Sequence, residues 1–164
     1  MALKVRPLVL KDAASFRLCW DLVAKERRYF SWYEAPSLSK TRAFLRECLH
    51  KKSPILVAVD GERVVGWAGV FRAGLPSLSH NGDLLVMILP EHRGKSLGTK
   101  LTTGVLKQSR GKFESVLFCV FRKNKRARHL GKKMGFKPGA VEKKYVRLAD
   151  GFDDLLITQK QMRG

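Results

Sequence analysis

Residues Gly82 to Leu106 read GDLLVMILPEHRGKSLGTKLTTGVL, and the rest of the chain is organised around them. The run Leu84-Leu85-Val86-Met87-Ile88-Leu89 is unbroken and apolar. Its length suits a strand buried on both faces, although periodicity alone does not separate such a strand from a buried helix. Pro90 closes the run. Arg93, Gly94, Lys95, Ser96 and Gly98 then form a short basic turn of small residues, after which Leu97, Leu101 and Val105 recur at helical spacing. The first N–H groups of a helix lack internal partners and lie at the positive end of its dipole. A strand, a small-residue turn and a helix therefore predict an anion site, with charge added by Arg93, Lys95 and Lys100. A turn with no ligand is the alternative. The stretch is not a Walker loop, and it lacks the first two glycines of a dinucleotide fingerprint.

The length of 164 residues predicts one domain, residues 1–164, with room for a real core, and an apolar content of 45% argues against disorder. No window approaches the ~18 consecutive apolar residues of a membrane span, and the opening MALKVRPLVLKD has too short an apolar segment for a secretory signal. Cys19, Cys48 and Cys119 are odd in number and sit in apolar segments, as expected of reduced thiols in a cytoplasmic protein. No Cys/His spacing resembles a metal site. Lys and Arg number 33 against 14 Asp and Glu, a net charge of +19. That field attracts polyanions such as nucleic acid, the ribosome or a polyphosphorylated cofactor, and it disfavours polyamine substrates. A generally basic proteome would leave the same number. Nothing in the sequence separates a monomer from a homodimer.

Taken in order, Arg6 to Lys11 read as a first strand, with Asp12 as N-cap of a helix carrying Phe16, Cys19, Trp20 and Val23 on one face. An aromatic stretch, Tyr29 to Tyr33, leads to Glu34-Ala35-Pro36 and a second helix from Ser39 to Lys51. Pro54 to Val59 and Arg63 to Phe71 form a hairpin around Asp60-Gly61, and Arg72 to Ser79 a loop. Beyond the central helix, Ser115 to Phe121 is another buried strand, and Asn124 caps a helix ended by Gly135, with Phe136 folding back. Val141 to Leu148 and Phe152 to Thr158 are the last strands. The expected class is mixed α/β, with a central mixed sheet of about seven strands and four flanking helices.

Three segments resemble, in order, the GNAT superfamily of acyl-CoA-dependent N-acyltransferases. PEHRGKSLGTKL is similar to the family's [QR]-x-x-G-x-[GA] turn, with Arg93 first, Gly98 last and Ser96 in place of the middle glycine. FCVFRKNKRARHLGKKMGF resembles the later strand and helix through Asn124, Ala127, Leu130, Gly135 and Phe136, and DGERVVGWAGV resembles the family's second and third strands. The resemblance implies transfer of an acyl group, usually acetyl from acetyl-CoA, to a primary amine such as an amino acid, a small amine or a protein N-terminus. The amine would attack directly, with no enzyme nucleophile and no metal. The pyrophosphate is then expected on Arg93, Gly94, Lys95, Ser96, Leu97 and Gly98, and pantetheine beside Met87, Ile88 and Leu89. A backbone N–H near Ile88 would polarise the thioester carbonyl, and Asn124 would touch the cofactor.

A proton must leave the acceptor ammonium. Asp83 is the first candidate base, Glu34 the second and His80 the third. Turn, solvated-loop and surface roles are their respective alternatives. Many members carry a tyrosine after the Leu130 position to protonate the departing thiolate, whereas this chain has Gly131. Tyr145 or water would take that role, or no acid is needed, since a thiol pKa of about 8.5 makes thiolate a tolerable leaving group. A non-catalytic module binding CoA or nucleic acid is the competing reading.

Overall fold

The computed structural model describes residues 3–162; Met1, Ala2, Arg163 and Gly164, the ends of the expected domain, lie outside them. Strand β1 (Lys4–Pro7) is followed by helices α1 (Ala13–Ala24) and α2 (Leu38–His50). Strands β2 (Ile55–Asp60), β3 (Arg63–Arg72) and β4 (Asn81–Ile88) come next, then α3 (Leu97–Ser109), β5 (Ser115–Phe121), α4 (Lys125–Lys133), β6 (Lys137–Leu148) and β7 (Gly151–Gln161). The order of elements is the one expected. The strands form a seven-stranded mixed sheet in the order β1-β2-β3-β4-β5-β7-β6, antiparallel except where β4 meets β5.

Helices cover both faces. On one face Phe16 of α1 stacks on Trp67 of β3 at 4.5 Å, and Phe44 of α2 meets Phe71 at 5.4 Å. On the other, Gly98 and Gly104 bring α3 against Ile88 and Leu56; a Cβ on Gly104 would come within 2.3 Å of Leu56. Full burial of each such apolar side chain contributes roughly 1.5–3 kcal/mol.

The first strand begins and ends earlier than the sequence suggests. Leu8 donates its N–H to Ile55, and residues Leu10–Asp12 turn in a 3₁₀ helix. Asp12 caps nothing with its side chain in α1; it instead accepts both Nη atoms of Arg6 at 2.8 Å and the Val9 N–H at 3.0 Å. Ser37 caps α2 by accepting from Lys40. The last two strands are longer than the apolar pattern implied, because Lys137 to Tyr145 form an exposed, polar edge.

Candidate active site in the gap between β4 and β5

Strands β4 and β5 pair over Asn81–Asp83 and Ser115–Leu117 only. Their closed end is pinned by Ser115, whose Oγ donates to Asn81 at 2.6 Å and accepts from Gln159 at 3.0 Å. Beyond it β5 stays paired with β7 along its whole length, from Ser115↔Gln161 to Phe121↔Leu155, while β4 stays with β3. A gap therefore opens from Leu84 onward. This corrects the expectation of a strand buried on both faces: Leu85, Val86 and Ile88 are half-buried because they line a cleft of about 760 Å³.

The cleft passes through the sheet. Val86, Ile88, Phe118 and Val120 line it on the α3/α4 face, and Leu85, Cys119 and Phe121 on the α1/α2 face, joined there by Tyr29, Phe30, Ser31 and Trp32. Leu89 donates its N–H to Val65 of β3 at 2.9 Å. By ladder alternation the backbones of Leu89 and Met87 are turned to β3, and those of Ile88 and Val86 to the gap. Of the three residues expected to pair with pantetheine, Ile88 alone offers its main chain there; Val86 is the neighbour that the apolar run did not distinguish. The Met87 side chain is buried, at 1% exposure.

At the mouth, Gly94 and Ser96 both take left-handed φ, +74° and +59°. Ser96 precedes α3 without capping it, and the first helical acceptor it offers is its carbonyl, to Lys100 N–H at 3.0 Å. The N–H groups of Leu97, Gly98 and Thr99 thus point out of the helix end. Gly98 has little room, since a Cβ would lie 3.3 Å from Ile88. A left-handed non-glycine residue costs about 1–2 kcal/mol, partly offset by glycine's larger unfolded-state entropy. Ser96→Gly is expected to gain about 0.5–1 kcal/mol, a higher Tm in thermal melts, and to tighten anion binding; a lower Tm would show that Ser96 contributes something the backbone angle does not.

The side chains of the turn are already engaged. Arg93 donates Nε to the Ile88 carbonyl at 2.9 Å and both Nη atoms to the Glu26 carboxylate, while its guanidinium lies 5.0 Å from the centroid of the Tyr29 ring. Lys95 donates to the Glu91 carbonyl at 3.0 Å. Further basic side chains along the cleft come from α4, where Arg126, His129 and Lys133 line it. Their i, i+3, i+7 spacing was the available signal, masked by the uniformly basic composition of the helix.

Helix α4 starts at Asn124, whose Oδ1 accepts from Ala127 at 3.1 Å and which also lines the cleft. It ends at Gly135 (φ +82°), with Phe136 N–H bonded to Gly131 and Gly135 N–H to Lys132, the paired bonds of a glycine-terminated helix. Gly131 has a packing reason: a Cβ there would lie 3.3 Å from Phe118, which meets Phe136 at a centroid distance of 5.5 Å. Tyr145 is 64% exposed on the edge strand β6 and does not line the cleft, whereas Tyr29 does.

The three candidate bases part company. Asp83, opposite Leu117 at the apex of the gap, shares a face with Leu85 and Cys119. Its carboxylate reaches solvent, yet partial burial pushes its pKa above the ordinary aspartate value. Cys119 is exposed, and its thiol is raised first by burial and then by the Asp83 charge. Glu34 is exposed in the α1–α2 loop, and His80 is exposed beyond the closed end, with Nε2 3.2 Å from Asn81 Nδ2. None of the three is itself among the residues lining the cleft; Asp83 alone adjoins it, next to the lining residue Leu84 and on the face of Leu85 and Cys119.

Residues 18–136 match the Acetyltransferase (GNAT) family. The chain belongs to the GNAT family. Solved structures of similar fold include a putative acetyltransferase from Salmonella typhimurium with its cofactor acetyl-CoA, at 17% identity and a TM-score of 0.92, covering 100% of this chain and 96% of that one. A GNAT superfamily phosphinothricin acetyltransferase from Sinorhizobium meliloti in complex with acetyl-CoA has 17% identity and a TM-score of 0.90, covering 99% and 90%. A ribosomal-protein-alanine N-acetyltransferase from Brucella melitensis has 19% identity and a TM-score of 0.88, covering 96% and 99%. At these identities the likeness is one of GNAT fold. No curated protein matches the sequence. Among the described residues no helix is long and apolar enough to cross a membrane.

Proposed function

We propose that residues 1–164 form one N-acetyltransferase domain that takes acetyl from acetyl-CoA to a primary amine. The observation that carries this reading is the gap itself. It has a backbone edge at Val86 and Ile88 and, at its mouth, the N-terminal end of α3, a place suited to an anion. At its apex is Asp83, whose pKa is raised by burial. The residues fit the cofactor: the N–H groups of Leu97, Gly98 and Thr99, with Arg126 and Lys133, would hold its phosphates, and Val86 and Ile88 its amide-bearing arm. The cofactor supplies a thioester. The chain supplies the rest: the Ile88 N–H faces the place where carbonyl charge develops, and Asp83 takes a proton from the ammonium so that the free amine attacks.

Acetyl-CoA at 100 times its Kd is expected to add about 2.7 kcal/mol of stability, roughly 5–10 °C in Tm for a chain of this size. A thiol-release assay over a panel of amines should then give sustained turnover. No thermal shift would overturn the CoA assignment. A second reading, a module that binds CoA or a nucleic acid without catalysis, is favoured by Gly131, which leaves no tyrosine on α4, and by the basic surface of that helix. Sustained turnover with any amine rejects it.

A further inference from the structure

The cleft is divided by charge. Among the described residues, the basic side chains that line it belong to the turn (His92 and Arg93) or to the start and body of α4 (Lys125, Arg126, His129 and Lys133). On the α1/α2 face the lining is aromatic or aliphatic: Phe30, Trp32, Leu85, Phe121 and Leu155, with the hydroxyls of Tyr29 and Ser31 and the Cys119 thiol as its polar groups. Arg93, the cation at the junction among the described residues, has all three guanidinium nitrogens bonded to Glu26 and Ile88. Among the described residues that line this side, a substrate carboxylate would find no unengaged cation and would lie near Asp83, and an unpaired charge in such surroundings is costly. A polyamine would bring further charges to the same apolar walls.

From this partition we infer that the acceptor is an apolar primary amine, an arylalkylamine in class, that carries no carboxylate beside its amino group. Its ring lies among Phe30, Trp32 and Leu85, and its ammonium faces Asp83. The inference rests on the transferase reading above and narrows its acceptor. The chemistry balances: one ammonium proton goes to Asp83, the freed amine nitrogen bonds to the acetyl carbon, the carbon–sulfur bond breaks, and the second proton lost from nitrogen passes to the departing CoA thiolate directly or through water.

The test uses the whole protein, with phenethylamine, phenylalanine and spermidine as probes and two readouts. The first is thiol release from acetyl-CoA. The second is alkylation of Cys119, the exposed cysteine of the three; Cys19 and Cys48 are buried, with thiols pushed up to about 12 and about 11, and are spared. Phenethylamine is expected to shield Cys119 and to be acetylated with kcat/KM about 100-fold above phenylalanine, which has the same ring and an added carboxylate. Trp32 is 41% exposed and packs edge-on against Trp20 at 5.2 Å, so Trp32→Ala should fold. That variant is expected to raise KM for phenethylamine about tenfold and leave KM for acetyl-CoA unchanged. Preference for phenylalanine or spermidine would overturn the acceptor class and leave the transferase reading standing. Shielding by phenethylamine without thiol release would uphold the apolar amine site and overturn the transferase reading. No shielding and no release with any amine would overturn both.

Discussion

Asp83→Asn is expected to cut turnover by about 10²–10⁴-fold, leave the Kd for acetyl-CoA unchanged, and give a Tm at neutral pH no lower than that of the parent. The three results belong together because each follows from a different property of the same group. The turnover loss follows from position: Asp83 sits where β4 and β5 part, on the face it shares with Leu85 and Cys119. The unchanged cofactor binding follows from distance along the strand, since the anion end of the gap is built from residues after Arg93. The stability result follows from linkage. Burial raises the pKa of Asp83 in the folded chain, so the folded state holds that proton more tightly than the unfolded state. Stability then falls as pH rises from the ordinary aspartate value through the raised one, and above it the ionised carboxylate is a net cost. Asparagine keeps the shape and removes the charge. The gain should therefore be visible at pH 7 and vanish below about pH 4, the ordinary aspartate range. The acid limb of kcat/KM in the parent should likewise lie above the usual carboxylate range and be absent from the variant. Retention of more than about a tenth of the parent turnover would remove Asp83 as the base.

Short-range signals in the sequence carried most of the secondary structure. Ser115–Phe121 was legible to the residue because an apolar run lies between a polar segment and the Asn124 cap. Ser96 stood out as the residue least suited to its position, and it adopts the left-handed angle that a glycine would take at lower cost. What escaped was decided by partners distant in the chain. Asn81-Gly82-Asp83 has turn composition yet joins β4, because β5 offers a parallel partner for those residues alone. Arg6 to Lys11 has the apolar content of a strand, but Asp12 draws Arg6 to itself and the chain turns at Leu10. The gap between β4 and β5 has no local signature, since β5 leaves β4 while staying paired with β7. The family turn was found from its residue types, but the use of its arginine depends on Glu26, 67 positions away.

That pairing gives the second large effect. Arg93→Met is expected to cost about 2–3 kcal/mol, roughly 5–10 °C in Tm for a chain of this size. The Arg93 and Glu26 side chains are only 14% and 22% exposed, so removing the guanidinium leaves a largely buried carboxylate without its two bonds and the Ile88 carbonyl without a donor. The Tyr29 ring loses the cation it packs on, and the α1–α2 loop loses its tie to the end of β4. Acetyl-CoA binding should weaken only as far as the loosened turn requires. Adding Glu26→Gln to Arg93→Met separates this role from direct phosphate binding. If Arg93 acts by holding Glu26, the second substitution removes the stranded charge, and the double variant recovers most of the stability and the Kd of the parent. If Arg93 instead holds the phosphates, Glu26→Gln alone frees the guanidinium and tightens acetyl-CoA binding, while the double variant binds as poorly as Arg93→Met. Melting curves and acetyl-CoA titrations of the four proteins in that cycle decide between a strut and a ligand, and the bidentate geometry with Glu26 favours the strut.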